Sequence, residues 1–281
     1  MKRNWLSYMC MAALLSGALT SCNESSFLNL SDPNHFTESN FWKDKADAES
    51  ALAAAYSPIK GAMYGYFGAF DGWLNLNGRG DDIFTIKGEE VPMWNIANFL
   101  NSPSTGNDPY GALYSGIQRA NIVLRYIDQV PASGITEEDR SMIKGEALFL
   151  RGYQYFLLVN NYKEVPLRLI PSNEDETNKG PATEAALWTQ VEEDLGNAIK
   201  CNLPVERTTA KERVTKGAAI AMLGKVYATQ HKYPEAKQLL GTLLKAPYSY
   251  ELVDNFGKNF TNEDEFNKES VYEIAYSPDG E

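Results

Sequence analysis

Between Gly61 and Tyr110 the chain sets Trp73 and Trp94 among Asp71, Arg79, Asp81, Asp82, Asn95 and Asn98, so flat apolar rings alternate with planar or charged polar groups. Such a mixture suits one kind of ligand. A sugar offers a face of C–H groups and a rim of hydroxyls, and a site for it needs aromatic surfaces for the face and oriented donors and acceptors for the rim. A stacked ring contributes on the order of 0.5–1.5 kcal/mol beyond area burial and a hydrogen bond about 1 kcal/mol, so several weak contacts give modest affinity. Each of these polar residues could equally stabilise a turn, and Trp73 could equally belong to a core.

Other chemistries are poorly supplied. Asn75-Leu76-Asn77-Gly78 hints at a calcium loop, but its first ligand position is Trp73 and its twelfth Phe84, where acids are required. Arg79-Gly80-Asp81 is a tripeptide short enough to arise by chance. The two histidines, His35 and His231, are too far apart in sequence to suggest a metal site or a triad. Glycoside hydrolysis needs two carboxylates about 5 to 9.5 Å apart, a pair that sequence spacing neither specifies nor excludes in an acidic chain. The expectation is a binding protein with no enzymatic activity, no cofactor and no metal.

The loop carrying these residues is unusual in itself. Glycines at 61, 65, 68, 72, 78, 80, 88 and 106 and prolines at 92, 103 and 109 break any long periodicity, yet the stretch holds Tyr64, Tyr66, Phe67, Phe70, Phe84, Phe99 and Tyr110 besides its tryptophans. A purely solvated loop has no use for so much apolar surface. It either folds back on the helices or presents rings to a ligand.

Helices must position it. A first helix is expected over Lys45–Ile59, with Ala48, Leu52, Ala55, Tyr56 and Ile59 on one face and Pro58 and Gly61 as its end. A second spans Pro109–Gln129 on Leu113, Ile117, Ala120, Ile122, Leu124 and Ile127. The strongest pattern lies in the stretch Lys144 to Pro171, and Thr136 with Asp139 three residues on reads as the capping start of its helix. From Leu148 to Val159 only Arg151, Gly152 and Gln154 interrupt the apolar and aromatic residues, so this helix is apolar around nearly its whole circumference. Ile143, Ala147, Leu150, Leu157 and Leu158 form one stripe and Phe149, Tyr153 and Phe156 another, which implies two neighbours. Arg151 within that surface either snorkels or needs a carboxylate.

A strand is expected at Val165–Ile170, an exposed loop at Pro171–Pro181, a helix at Thr183–Lys200 and a strand near Val271–Ala275. Leu223-Gly224-x-x-Tyr227, with Ala236 beyond Tyr233-Pro234, matches a tetratricopeptide repeat, in which small residues let paired helices approach. The expected fold is mainly α: tetratricopeptide-like helix pairs in an α-superhelix, with a few short strands and a long aromatic loop region.

Lys2 and Arg3 precede an apolar run from Trp5 to Leu19, shorter than the ~20 residues a membrane-spanning helix needs, and this reads as a signal peptide. Leu19-Thr20-Ser21-Cys22 resembles the lipobox of bacterial lipoproteins, which makes Cys22 the expected lipid-bearing residue. The expected organisation is a signal peptide at 1–21, a lipidated tether and entry segment at 22–44, and a helical domain at 45–281. With Cys10 in the leader and Cys22 lipidated, Cys201 has no cysteine to pair with. The formal net charge of −11 becomes −13 once Lys2 and Arg3 leave with the signal, which opposes nucleic acid as a partner.

Thr37-Glu38-Ser39-Asn40-Phe41-Trp42, Leu113 to Asn121, Gly145 to Leu167, Thr215 to Ala219 with Lys225-Val226-Tyr227, and Asn267 to Ile274 together resemble the SusD/RagB family, in order along nearly the whole mature chain. The resemblance implies a glycan-binding outer-membrane lipoprotein at the cell surface of Bacteroidota, seated over a SusC-type TonB-dependent transporter to which it delivers oligosaccharides. It favours Trp94 as a platform, because the family draws platform aromatics from this region. Family members usually continue through a C-terminal half, so the chain is expected to be an N-terminal portion. The alternative is a lipid-anchored helical-repeat scaffold that binds protein partners.

Overall fold

A computed structural model describes residues 41–67, 80–81, 94–95, 97–100, 110–172 and 174–275, the side chains of 60–67, 174 and 175 excepted. The signal peptide and Cys22 lie outside them. Helix α1 (Lys45–Phe67) begins where Asp44 Oδ1 accepts the Ala46 and Asp47 amides at 2.9 and 3.2 Å. It does not stop at Ile59 but continues through Pro58. A helical proline removes the N–H that the carbonyl four residues back would bond. Here that carbonyl is Ala54, and Arg119 Nη1 donates to it at 2.9 Å, bridging the gap from the next helix.

Arg119 lies on α2 (Tyr110–Tyr126), which tightens into a 3-10 turn over Ile127–Gln129. Helix α3 (Glu137–Tyr162) starts as expected, with Thr136 Oγ1 accepting the Asp139 amide at 3.1 Å. Both of its stripes are covered, and apart from the half-buried Tyr153 every residue named for them is buried. After the single turn α4 (Glu174–Thr177), Thr183 and Thr215 cap α5 (Glu184–Lys200) and α6 (Lys216–Thr229) in the same manner as Thr136. Helix α7 (Tyr233–Leu240) carries Pro234 in its first turn, where a missing N–H costs nothing.

The helices pack largely in chain order, α1 on α2, α2 on α3, α3 on α5, α5 on α6 and α6 on α7, with α1 also reaching α3. Two glycines set the spacing. A Cβ on Gly116 of α2 would lie 1.7 Å from Gln154 Oε1 of α3, and one on Gly224 of α6 would lie 2.4 Å from Leu240 Cδ2 of α7. The second is the glycine of the repeat signature, and Ala236, the later small residue of that signature, is buried on α7.

Arg151 is a buried cation with a carboxylate. Its Nε and Nη2 meet the two oxygens of Asp194 on α5 at 2.8 and 2.7 Å, the side chains being 9% and 2% exposed. Its Nη1 donates to Asn121 Oδ1 of α2 at 2.9 Å, so one guanidinium joins three helices.

Neither expected strand forms, and the described residues contain one isolated bridge, Pro166 to Pro181. The first segment is extended, but side chains take its backbone groups in place of a neighbouring strand. Tyr114 Oη donates to the Pro166 carbonyl at 2.5 Å, and Tyr155 Oη both donates to the Arg168 carbonyl and accepts its amide. Asn121 Nδ2 donates to the carbonyls of Arg168 and Ile170. The second segment, Val271–Ala275, follows turns joined by bonds such as Glu251 N to the Lys268 carbonyl at 3.0 Å.

Candidate functional site

Helix α1 leads into the aromatic loop and α2 receives it, so what anchors those two helices holds the loop's ends. On the α2 side, Tyr110 packs on Tyr114 and edge-on against Tyr162, with centroids 4.8 and 5.3 Å apart. Tyr114 in turn meets Tyr155 edge-on, and the Arg168 guanidinium lies 5.1 Å from its ring centre. Burial pushes the Tyr114 and Tyr155 phenols far above their usual range, which keeps both as neutral hydrogen-bond donors.

On the α1 side, Tyr56 Oη donates to Glu146 Oε2 at 2.5 Å and accepts the Val214 amide at 2.9 Å. Glu146 is 0% exposed and also takes Arg207 Nη2 at 2.7 Å and Arg213 Nε and Nη2 at 2.9 and 2.8 Å. Arg213 reaches back to Glu49 of α1 at 2.8 Å. Burial, with the Glu146 charge added, raises the Tyr56 pKa. Burial is the largest influence on Arg213 and would by itself lower its pKa, but the charge and hydrogen bond of Glu146 together with Glu49 and Tyr56 outweigh it, and the shift is upward. One carboxylate met by two guanidinium groups and a phenol ties α1 and α3 to the segment carrying Arg207 and Arg213. Sequence reading missed this cluster; its signal was an acid, Glu146, directly before the buried apolar run Ala147-Leu148-Phe149-Leu150 of α3.

Within the loop the described residues form a helical turn at Trp94. The Trp94 carbonyl accepts the Asn98 amide at 3.1 Å and Asn98 Nδ2 at 2.7 Å, and Leu100 N donates to the Asn95 carbonyl at 2.7 Å. Trp94 and Asn95 are half-buried, Asn98 is exposed, and Phe99 and Leu100 are 67% and 49% exposed. Three expected site residues, Trp94, Asn95 and Asn98, therefore share one turn, and part of the Asn98 amide serves that turn. Asp81 is exposed next to Gly80, while Trp73, Asp71, Arg79 and Asp82 lie outside the described residues.

Two of the open depressions among the described residues lie away from this turn. One of about 300 Å³ is lined by Arg207, Lys211, Tyr248, Tyr250, Asn267 and Tyr272, the rings of Tyr248 and Tyr250 stacking at 6.1 Å. The other, of about 740 Å³, lies over Trp188, Glu192 and Lys232 on α5 and beyond α6. Among the described residues no group of three His, Cys, Asp or Glu side chains is gathered as a metal site.

A family model for SusD-like proteins, described as starch-binding and associating with the outer membrane, matches residues 82–228, more than half of the 281-residue chain. A SusD-like protein of Formosa agariphila is 25% identical over 246 residues, covering 85% of this chain and 45% of that one. Among solved structures, a SusD superfamily protein of Bacteroides vulgatus is similar with a TM-score of 0.73 and 30% identity, covering 83% of this chain and 50% of that one. A laminarin-binding SusD-like protein is similar with a TM-score of 0.72 and 30% identity, covering 82% and 51%. The chain spans about half the length of these relatives. The matched region takes in the Trp94 turn and α2 to α5, and on it the chain belongs to the SusD-like family.

Proposed function

We propose that the protein is a glycan-binding surface lipoprotein, held in the outer membrane through Cys22, that captures oligosaccharides and passes them to a SusC-type TonB-dependent transporter. The match of residues 82–228 to a starch-binding, outer-membrane family carries this reading. A relative of 30% identity that binds laminarin supports a glycan as the ligand. In this reading Trp94 supplies a platform, and Asn95, Asn98 and Asp81 supply rim hydrogen bonds. Trp73, Asp71 and Arg79 are the further candidate glycan contacts.

Affinity electrophoresis and calorimetry against a panel of soluble polysaccharides that includes laminarin test the proposal. Trp94→Ala is expected to weaken binding about tenfold, the loss of roughly 1.4 kcal/mol. Retention of no polysaccharide in the panel would overturn the glycan reading and leave the protein-binding scaffold, for which Trp94→Ala would change partner binding or melting instead.

A further inference from the structure

Phe99 has φ of 56°, in the left-handed region where the Cβ of an L residue crowds the backbone. A bulky aromatic is among the residues least suited to it. The turn imposes this conformation: on one side Asn98 bonds the Trp94 carbonyl through both its amide and its side chain, and on the other Leu100 N bonds the Asn95 carbonyl. Glycine or asparagine would occupy the position with less strain. The ring does not offset that strain by packing, because the residue is 67% exposed. Folding stability accounts for neither the residue type nor its exposure. Backbone outliers of this kind collect where a side chain must be held in one direction for a ligand.

We propose that Phe99 is a second aromatic contact for the glycan beside Trp94, its ring held toward solvent as an apolar face for the C–H surface of a sugar; this rests on the glycan-binding reading above. Leu100, exposed next to it, widens the apolar surface. Two rings on one turn suit a chain of sugars, which can offer a face to each, better than a single sugar.

The test compares wild type, Phe99→Gly, Phe99→Trp and Trp94→Ala by melting and by affinity electrophoresis in laminarin and the other polysaccharides of the panel. Phe99→Gly is expected to melt at the same or a higher temperature while binding at least fivefold more weakly, and Phe99→Trp to keep its binding. A Phe99→Gly chain that melts several degrees lower marks the ring as packing and overturns the proposal. So does one that binds like wild type while Trp94→Ala does not, and in that case the glycan reading stands and only the role of Phe99 falls. A wild-type chain that binds nothing in the panel removes both.

Discussion

Arg151 illustrates what a single residue decides in this protein. Its bidentate pair with Asp194 is almost fully out of water, and such a pair is costly to break because the remaining charge stays buried. Asp194→Ala is therefore expected to cost about 3–5 kcal/mol, read as a shifted urea midpoint. The exposed pair of Lys45 and Asp139 behaves differently. The lysine holds the Asp139 carboxyl below its usual range, so the stabilisation it gives is present above the unfolded carboxylate pKa and is lost as pH falls through the depressed folded value. Asp139→Asn should remove a small part of the stability at neutral pH and flatten the acid limb of the stability profile, by well under the Asp194→Ala effect. The need of Arg151 for a carboxylate was legible in the sequence because a cation in an apolar surface has few alternatives. Its partner was not, since Asp194 lies 43 residues away on another helix.

At the scale of elements, local signals were legible and rescued ones were not. Thr136 caps its helix as its spacing with Asp139 indicated, and Thr183 and Thr215, which were not read as caps, use the same bond to an amide three residues on. Pro58 misled because Arg119, 65 residues away, supplies what the proline removes. The stretch at 165–170 misled for a related reason: a sequence can mark an extended backbone without specifying whether a strand or a set of side chains takes its hydrogen bonds. The candidate glycan-binding residues were picked out by composition, and Trp94, Asn95 and Asn98 share a turn, but the left-handed conformation at Phe99 left no mark on periodicity. Gly116→Ala tests the spacing of α2 and α3. The added methyl would collide with Gln154 Oε1, a destabilisation of about 1–3 kcal/mol measurable by denaturant titration.

For the molecule as a whole, the helix order and the repeat pair were readable because each small residue sits where two helices close on one another. The apolar surface toward the end of the described residues was not anticipated. Leu252, Phe256 and Phe260 are 80%, 74% and 74% exposed, and the two phenylalanine rings pack only edge to face at 5.1 Å. Replacing both with serine is expected to leave the melting temperature nearly unchanged and to lower self-association of this chain in light scattering. At the membrane, Cys22→Ser should abolish palmitate labelling, and persistent labelling would remove the anchor from the proposal.

The side chains that clasp residues 165–170 bear on solubility as well as on shape. An extended segment with open carbonyls and amides invites another chain to pair with it edge to edge, the route to β-aggregation. Here the Val165 carbonyl accepts the Ala182 amide, the Pro166, Arg168, Leu169 and Ile170 carbonyls are taken by side chains of α2 and α3, and Pro166 has no N–H to give. Tyr114, Asn121, Arg151 and Tyr155 thus act as gatekeepers, keeping an extended piece of backbone from becoming a template for intermolecular strand addition.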